Sequence, residues 1–236
     1  MKVFKFLPWA TAFVVIATGC SDPQIEYAVS AETIAEIEIN SFPKNLDSDC
    51  REGRAKLYDE CSDQLVLFSE AKTQAEEEGK TLLVSFGAEW CIWCHVFDAY
   101  IHGYVDSFTY TYGEAGNDER YTHTMRERAK IDVSKDAYDL KKYVSENFVV
   151  VHIDYEHAPN GDEVMDNANA WDEFDNFIPY IFTVDGNGKF AATFSHDDVE
   201  VRRDTMDWYR GYDRGRLLDE LKEMHVAAVN RGLQLE

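Results

Sequence analysis

Apolar residues in the first half of the chain fall into three stretches whose spacing indicates their secondary structure. Between 65 and 75 they recur about one helical turn apart, which predicts a helix. Ser62-Asp63 supply its N-cap signal and Gly79 its C-terminal stop. A short apolar run at 81–86 predicts a strand, and the apolar positions at 94–101 fit a second helix.

The second half of the chain continues this alternation of strands and helices. An almost uninterrupted apolar run at 148–154, rich in β-branched residues, predicts a buried central strand. Two short strands at 180–184 and 189–194 flank an Asp-Gly-Asn-Gly turn, which predicts an antiparallel hairpin. Apolar residues at helical spacing between 213 and about 229 predict a final helix that packs against the sheet. The elements predict an α/β fold, a central mixed β-sheet flanked by helices.

Two segments do not follow the alternation. Residues 20–61 contain two prolines and only brief apolar patterning, which predicts a tether and an N-terminal extension before the core begins. Residues 103–146 are rich in tyrosine and charged side chains, which predicts an insertion containing a polar helix at about 135–145. The main domain is expected at 62–232, interrupted by this insertion.

The charge of the chain excludes one large class of partners. It has 45 acidic residues against 23 Lys and Arg, a formal net charge of −22. Binding to nucleic acid requires clustered cations that neutralise phosphates, so no nucleic-acid partner is expected.

The first residues have the layout of an export signal. Lys2 and Lys5 precede an uncharged, largely apolar run at 6–18. This run is too short to span the ~30 Å hydrocarbon core of a bilayer. Residues 1–19 are therefore predicted to be a signal peptide.

The end of this signal resembles the cleavage box of bacterial lipoproteins. The sequence there is Ala17-Thr18-Gly19-Cys20, and Ala17 stands where that family usually has Leu. The resemblance implies that Cys20 is lipidated and anchors the protein in the bacterial cell envelope, on the periplasmic side. The alternative is an ordinary secretory peptide cut near the same place, and both interpretations predict export.

Export determines how the five cysteines are interpreted, because thiols outside the cytosol are oxidised. With Cys20 assigned to the anchor, Cys50 and Cys61 form one candidate pair and Cys91 and Cys94 a second. Nothing around Cys50 and Cys61 looks like a reactive helix start, so this pair is predicted to be a structural disulfide.

The Cys91-Ile92-Trp93-Cys94 motif follows a predicted strand and begins a predicted helix. A helix N-terminus stabilises a thiolate, which makes Cys91 the expected nucleophile. Cys94, one turn inside the helix, would resolve the mixed disulfide. A purely structural disulfide is the alternative, but so small a loop removes little unfolded-state entropy, which favours catalysis.

These features together resemble the thioredoxin family. The resemblance rests on the strand, the Ala88-Glu89-Trp90-Cys91 start of the motif, the helix, the strong strand, and Ile178-Pro179 before the hairpin. It covers about 62–232 without the insertion. It implies a thioredoxin-like fold and thiol–disulfide oxidoreductase activity with no cofactor beyond the Cys91–Cys94 pair. It also implies that Pro179 is cis and that the backbone at Ile178 pairs with the substrate.

Departures from the family pattern leave the direction of the reaction open. Ile92-Trp93 replaces the usual Gly-Pro dipeptide, and Ser85 stands where the family has a buried Asp that assists proton transfer. Glu89 or water is the alternative for that proton. Resemblance to envelope-tethered reductases favours reduction, driven by a membrane electron donor, while oxidation and isomerisation stay open. Trp93, Cys94 and His95 also resemble a thioredoxin-like subgroup with a C-x-W-C-H signature.

Other residues of the motif have expected supporting roles. Trp90 and Trp93 are predicted to form an apolar rim that binds substrate, with packing as the alternative. His95 and Glu89 are predicted to tune the thiolate. The expected partners are protein thiols and disulfides of the cell envelope.

Two rival functions belong to different classes. The first is a binding module whose disulfide stays closed. The second is a chaperone for a soft metal such as copper(I), held by Cys91, Cys94 and His95. A resident metal is not expected, because no second ligand pair completes a four-ligand site.

Overall fold

The computed structural model describes residues 29–105, 108–113, 120–125, 134–201 and 211–233. The predicted signal peptide at 1–19 and Cys20 lie outside the described residues, as does part of the predicted insertion. No helix within the described ranges is long and apolar enough to cross a bilayer.

The elements of the described part follow the predicted alternation of helices and strands. The helices are α1 (Ala31–Ala35), α2 (Gln64–Glu78), α3 (Ile92–Ile101), α4 (Ser134–Asn147), α5 (Gly161–Ala168), α6 (His196–Val199) and α7 (Arg214–Leu233). The strands are β1 (Asn40–Phe42), β2 (Thr81–Gly87), β3 (Phe108–Gly113), β4 (Arg120–Met125), β5 (Phe148–Asp154), β6 (Tyr180–Val184) and β7 (Phe190–Thr193).

Five strands form one mixed sheet in the order β1-β5-β2-β6-β7. β5 pairs in parallel with both β1 and β2, whereas β6 runs antiparallel to β2 and to β7. Both central strands, β2 and β5, are buried along their whole length, as their continuous apolar runs predict. The mixed α/β class is therefore confirmed.

Alternate residues of the central strands face two different helical layers. Val84 and Val151 face a layer that contains α2 and α5, whereas Leu83 and Val150 face a layer that contains α3, α4 and α7. The period-two alternation of side chains along a strand sends neighbouring residues into these two cores. The Cys91–Cys94 motif begins α3 and so belongs to the second layer.

The N-terminal extension contributes more to the core than its sequence indicates. β1 adds to the edge of the sheet next to β5, and Ile34, Phe42 and Tyr58 are buried. A three-residue strand is too short to show a periodicity, and its hydrogen-bond partners come from the sheet. The apolar residues of this segment are therefore buried by tertiary contacts rather than by a local element.

The described end of the insertion is also part of the fold. Helix α4 covers the predicted polar helix, and it buries Leu140 and Val144 against the layer that contains α3 and α7. Lys141 donates a hydrogen bond from Nζ to the carbonyl of Ile34 at 2.8 Å, which ties α4 to the N-terminal extension. Although the segment is polar overall, one face of α4 is therefore buried.

Candidate active site

Cys91 and Cys94 lie shortly after β2, at the start of α3. Cys91 is the N-cap of α3, and its Sγ accepts a hydrogen bond from the Cys94 amide at 3.2 Å. The two sulfurs are joined in a disulfide. A sulfur at this position lies at the positive end of the helix dipole, which stabilises a thiolate when the disulfide opens.

The two cysteines differ slightly in exposure. Cys91 has 3% of its surface exposed and Cys94 none. Tyr58 forms one buried cluster with the two cysteines, and Leu57, Trp93 and Ile178 pack against this cluster. Cys91 is thus the more exposed of the two, the order that the predicted roles of nucleophile and resolving cysteine require.

Ile178 and Pro179 form the wall opposite the helix. The peptide bond between them is cis, the geometry that the resemblance implies. The carbonyl oxygen of Ile178 lies 3.6 Å from the Cys91 sulfur. Pro179 is buried, whereas Ile178 is half-buried. Of the two residues, Ile178 is therefore the more accessible to a substrate chain.

The two tryptophans of the motif have different surroundings. Trp90 is 40% exposed, and its indole nitrogen donates a hydrogen bond to the Glu156 carboxylate. Trp93 packs edge-on against Tyr212, with 5.5 Å between ring centroids. Exposure at Trp90 suits substrate contact, whereas Trp93 is largely occupied by packing.

Glu89 holds the N-terminal extension against the motif. Its carboxylate is completely buried, and Oε2 accepts hydrogen bonds from the amides of Leu57 at 2.9 Å and Tyr58 at 3.0 Å. The His95 Nε2 donates to the Glu89 carbonyl at 2.8 Å and lies 3.4 Å from Oε1. Glu89 and His95, predicted separately as tuning residues, are therefore joined to each other and to the 57–58 backbone.

Cys50 and Cys61 form a second disulfide, which closes the loop that carries Tyr58. Next to Cys61, the buried Glu60 has its pKa raised to about 7 by burial and by Asp154, partly opposed by Arg51. Arg51 Nε lies 3.6 Å from Glu60. The disulfide and the Arg51–Glu60 contact therefore lie side by side where the loop closes.

Two buried polar residues near the cysteines, Tyr58 and His152, were not predicted from the sequence, and Ser85, noted there only as a departure from the family pattern, joins them. Tyr58, Ser85 and His152 all have 1% or less of their surface exposed. The Tyr58 hydroxyl and Ser85 Oγ are hydrogen bonded at 2.9 Å, and the Tyr58 and His152 rings lie edge to face at 5.3 Å. Ser85 and His152 are register partners on β2 and β5. A sequence signal was present, since polar residues occupy the α3-facing positions at the ends of both apolar strands.

Asp98 on α3 continues this polar group towards the surface. Its Oδ1 lies 3.1 Å from Nδ1 of His102 and 3.3 Å from Nε2 of His152. Burial alone would raise the pKa of Asp98, but the hydrogen bonds and charges of the two histidines lower it. Burial likewise opposes the shift at His102, and Asp98 still raises the pKa of that histidine. An ionised carboxylate therefore lies on the same helix as the cysteines.

The described residues offer little support for the metal-chaperone alternative. Among these residues, one group of three His, Cys, Asp or Glu side chains lies close enough together to hold a metal ion. It consists of Cys50, Asp59 and Cys61. The cysteines of that group are already bonded to each other. His95 Nε2 lies against the Glu89 carbonyl.

Close packing at Gly87 gives a first prediction. A Cβ on Gly87 would lie 2.6 Å from the Cys94 sulfur and 2.8 Å from the Tyr58 hydroxyl. We expect Gly87→Ala to destabilise the fold by about 1–3 kcal/mol, because both neighbours must move in a packed core. Urea unfolding measures the loss. Gly186→Ala is the matched control, since a Cβ there meets nothing within 4 Å. Equal unfolding midpoints for the two variants would contradict the prediction.

A comparison with known families gives an independent finding. Residues 65–102 match the model of a thioredoxin-like family. The match includes most of α2, all of β2 and α3, and both cysteines of the motif. No curated protein matches the chain.

Proposed function

We propose, from the match of residues 65–102 to a thioredoxin-like family, that this protein is a thiol–disulfide oxidoreductase. The observation that carries the proposal is Cys91 at the N-cap of α3, paired with Cys94 and 3.6 Å from the Ile178 carbonyl. A thiol–disulfide exchange needs a stabilised thiolate, a second cysteine to resolve it, and a backbone edge where the substrate chain can pair.

The proposed reaction takes place in two steps. In the reductase direction the Cys91 thiolate attacks a substrate disulfide, so that a Cys91–substrate bond forms and one substrate thiolate leaves. Cys94 then attacks the Cys91 sulfur, the internal disulfide forms, and the second substrate thiolate is released. Two electrons pass from the cysteine pair to the substrate, and both thiolates take protons from water.

The surface around Cys91 suits a protein substrate. Trp90 and Phe177 are 40% and 68% exposed, and they precede Cys91 and Ile178 in the chain. Aromatic side chains of this kind provide large apolar contact area for a partner chain. We propose that the substrates are cysteines of other proteins of the cell envelope.

The direction and location are further parts of the proposal. Reduction in an oxidising compartment requires a continuous supply of electrons, so a reductase there needs a membrane electron donor. Lipidation at Cys20 would keep the protein beside such a donor. Oxidation and isomerisation of substrate cysteines are the competing directions.

The reduction potential of the Cys91–Cys94 pair tests the function. The full chain with Cys20→Ser is equilibrated with glutathione or dithiothreitol, and mass spectrometry quantifies the peptide that contains both cysteines. A potential of about −230 mV or lower, with turnover of insulin disulfides, is expected for a reductase. A value near about −120 mV with rapid oxidation of substrate thiols indicates an oxidase.

The low exposure of Cys91 makes a binding module the second candidate. In that case the pair neither titrates over this range nor exchanges with a substrate disulfide. Such a result would overturn the oxidoreductase proposal.

A further inference from the structure

A residue from outside the Cys91–Cys94 motif belongs to the same buried cluster as its two cysteines. Tyr58 belongs to the loop that the Cys50–Cys61 disulfide closes, and it is completely buried. Its side chain packs in one cluster with Cys91 and Cys94. The backbone amide of Tyr58 donates a hydrogen bond to the Glu89 carboxylate, so the backbone as well as the side chain of Tyr58 is held at the site.

The Tyr58 hydroxyl and the Cys94 sulfur both lie next to Gly87. The position that a Gly87 Cβ would occupy lies 2.6 Å from that sulfur and 2.8 Å from the hydroxyl oxygen. The two atoms are therefore at most about 5.4 Å apart, the sum of these distances, and while the disulfide is closed the Tyr58 hydroxyl is hydrogen bonded to Ser85. A side chain at 87 would crowd both atoms, so glycine lets the hydroxyl and the sulfur face the same small space.

Electrostatics determine which role the hydroxyl can take. Burial raises the pKa of Tyr58 far above its usual range, and Asp98, Glu89 and Asp154 raise it further. Tyr58 therefore keeps its proton and acts as a donor rather than as a base. The hydroxyl of Ser85 at 2.9 Å can donate to Tyr58, which leaves the Tyr58 proton free to point elsewhere.

The charged groups near Tyr58 make such a donor important. Glu89 before α3, Asp98 on α3 and Asp154 on β5 are acidic neighbours of Tyr58, and His152 on β5 packs against the Tyr58 ring. Carboxylates and burial both disfavour a further negative charge. A Cys94 thiolate in this place needs a hydrogen-bond donor to form.

We propose that Tyr58 donates a hydrogen bond to the Cys94 sulfur when the Cys91–Cys94 bond is open. The inference rests on the proposed exchange function and adds a positioning residue to it. In the resolving step the Cys94 thiol loses its proton to water, and its sulfur attacks Cys91. The Cys91–Cys94 bond forms, the bond from Cys91 to the substrate breaks, and the substrate thiolate leaves. Tyr58 stabilises the Cys94 thiolate that this step requires.

Tyr58→Phe tests the inference, because it keeps the packed ring and removes only the hydroxyl. In a Cys91→Ser background with Cys20→Ser, Cys94 is the remaining thiol, and its 13Cβ chemical shift reports its ionisation. We expect Tyr58→Phe to raise the pKa of Cys94 by about one unit, since hydrogen bonds to charged groups are among the strong ones. Tyr143→Phe is the matched control, because Tyr143 is half-buried on α4 against Phe148 and His225.

The same change should slow the chemistry. With Cys91 restored, a Cys94 pKa higher by one unit leaves about tenfold less Cys94 thiolate. Each remaining thiolate is about threefold more nucleophilic, so the attack on Cys91 becomes about threefold slower. The mixed disulfide with a test peptide should then persist about threefold longer. A Cys94 pKa equal to that of the native chain would overturn the inference.

Two further readouts separate the possible failures. If Tyr58→Phe unfolds more readily than the control, the inference is tested without that variant. The probe is then the 13Cζ chemical shift of Tyr58 in the Cys91→Ser background. That shift must follow the Cys94 titration, and a constant shift contradicts the inference. If the native chain exchanges with no disulfide, the proposed function fails while the Cys94 titration still reports on Tyr58.

Discussion

Cys91→Ser is expected to reduce thiol–disulfide exchange to the rate of the reaction without protein. A serine hydroxyl forms no disulfide, so the first covalent step has no substitute. Cys94 cannot take over, because it is completely buried one turn inside α3. Insulin-disulfide turnover measures the loss.

Cys94→Ser provides the complementary result. Cys91 keeps its position at the N-cap and can still attack, but the resolving sulfur is missing. We expect a long-lived mixed disulfide between Cys91 and a test peptide, visible as an added peptide mass. Exchange that continues in Cys91→Ser at a rate near the native one would assign the chemistry to another cysteine.

Glu89→Ala is expected to destabilise the fold by about 3 kcal/mol. The variant leaves the amides of Leu57 and Tyr58 without their buried acceptor, and hydrogen bonds to charged groups contribute about 1.5–3 kcal/mol each. Urea unfolding of the oxidised chain measures the change. Glu70→Ala, an exposed position on α2, is the matched control and should change stability by less than about 0.5 kcal/mol.

Glu89→Gln distinguishes hydrogen bonding from charge at this position. A single oxygen, Oε2, accepts both amides, and the oxygen of a glutamine side chain can do the same. We expect Gln to recover most of the stability lost in Ala. If Glu89→Ala proved as stable as Glu70→Ala, the backbone at 57–58 would not depend on this carboxylate.

The elements predicted from the sequence were those whose pattern is local. β5 is a continuous apolar run that is buried throughout, and α2 begins at the cap residue Asp63 and ends at Gly79. The Cys91–Cys94 spacing likewise fits one turn at a helix start, so the pair could be located from the sequence. In each case the residues that determine the structure are neighbours in the chain.

The N-terminal extension shows why other parts could not be predicted. Residues 50–61 contain no run that predicts burial, yet Tyr58 is completely buried behind the cysteines. Its hydroxyl partner, Ser85, is 27 positions away in the chain, and its ring partner, His152, lies on a third segment. A polar residue in an irregular loop carries no periodic signal, so its burial depends on what the sheet and α3 offer it.

The sequence by itself therefore determined the class of fold and the Cys91–Cys94 pair at a helix start, because these depend on local spacing and backbone geometry. Only the tertiary structure decided the surroundings of Cys94. There, Gly87 leaves the space, Glu89 anchors the backbone of the loop, and the Tyr58 hydroxyl, hydrogen bonded to Ser85, lies next to Gly87 as the sulfur does. These residues come together because the loop closed by Cys50 and Cys61 packs against the end of the sheet, a long-range contact that no local pattern encodes.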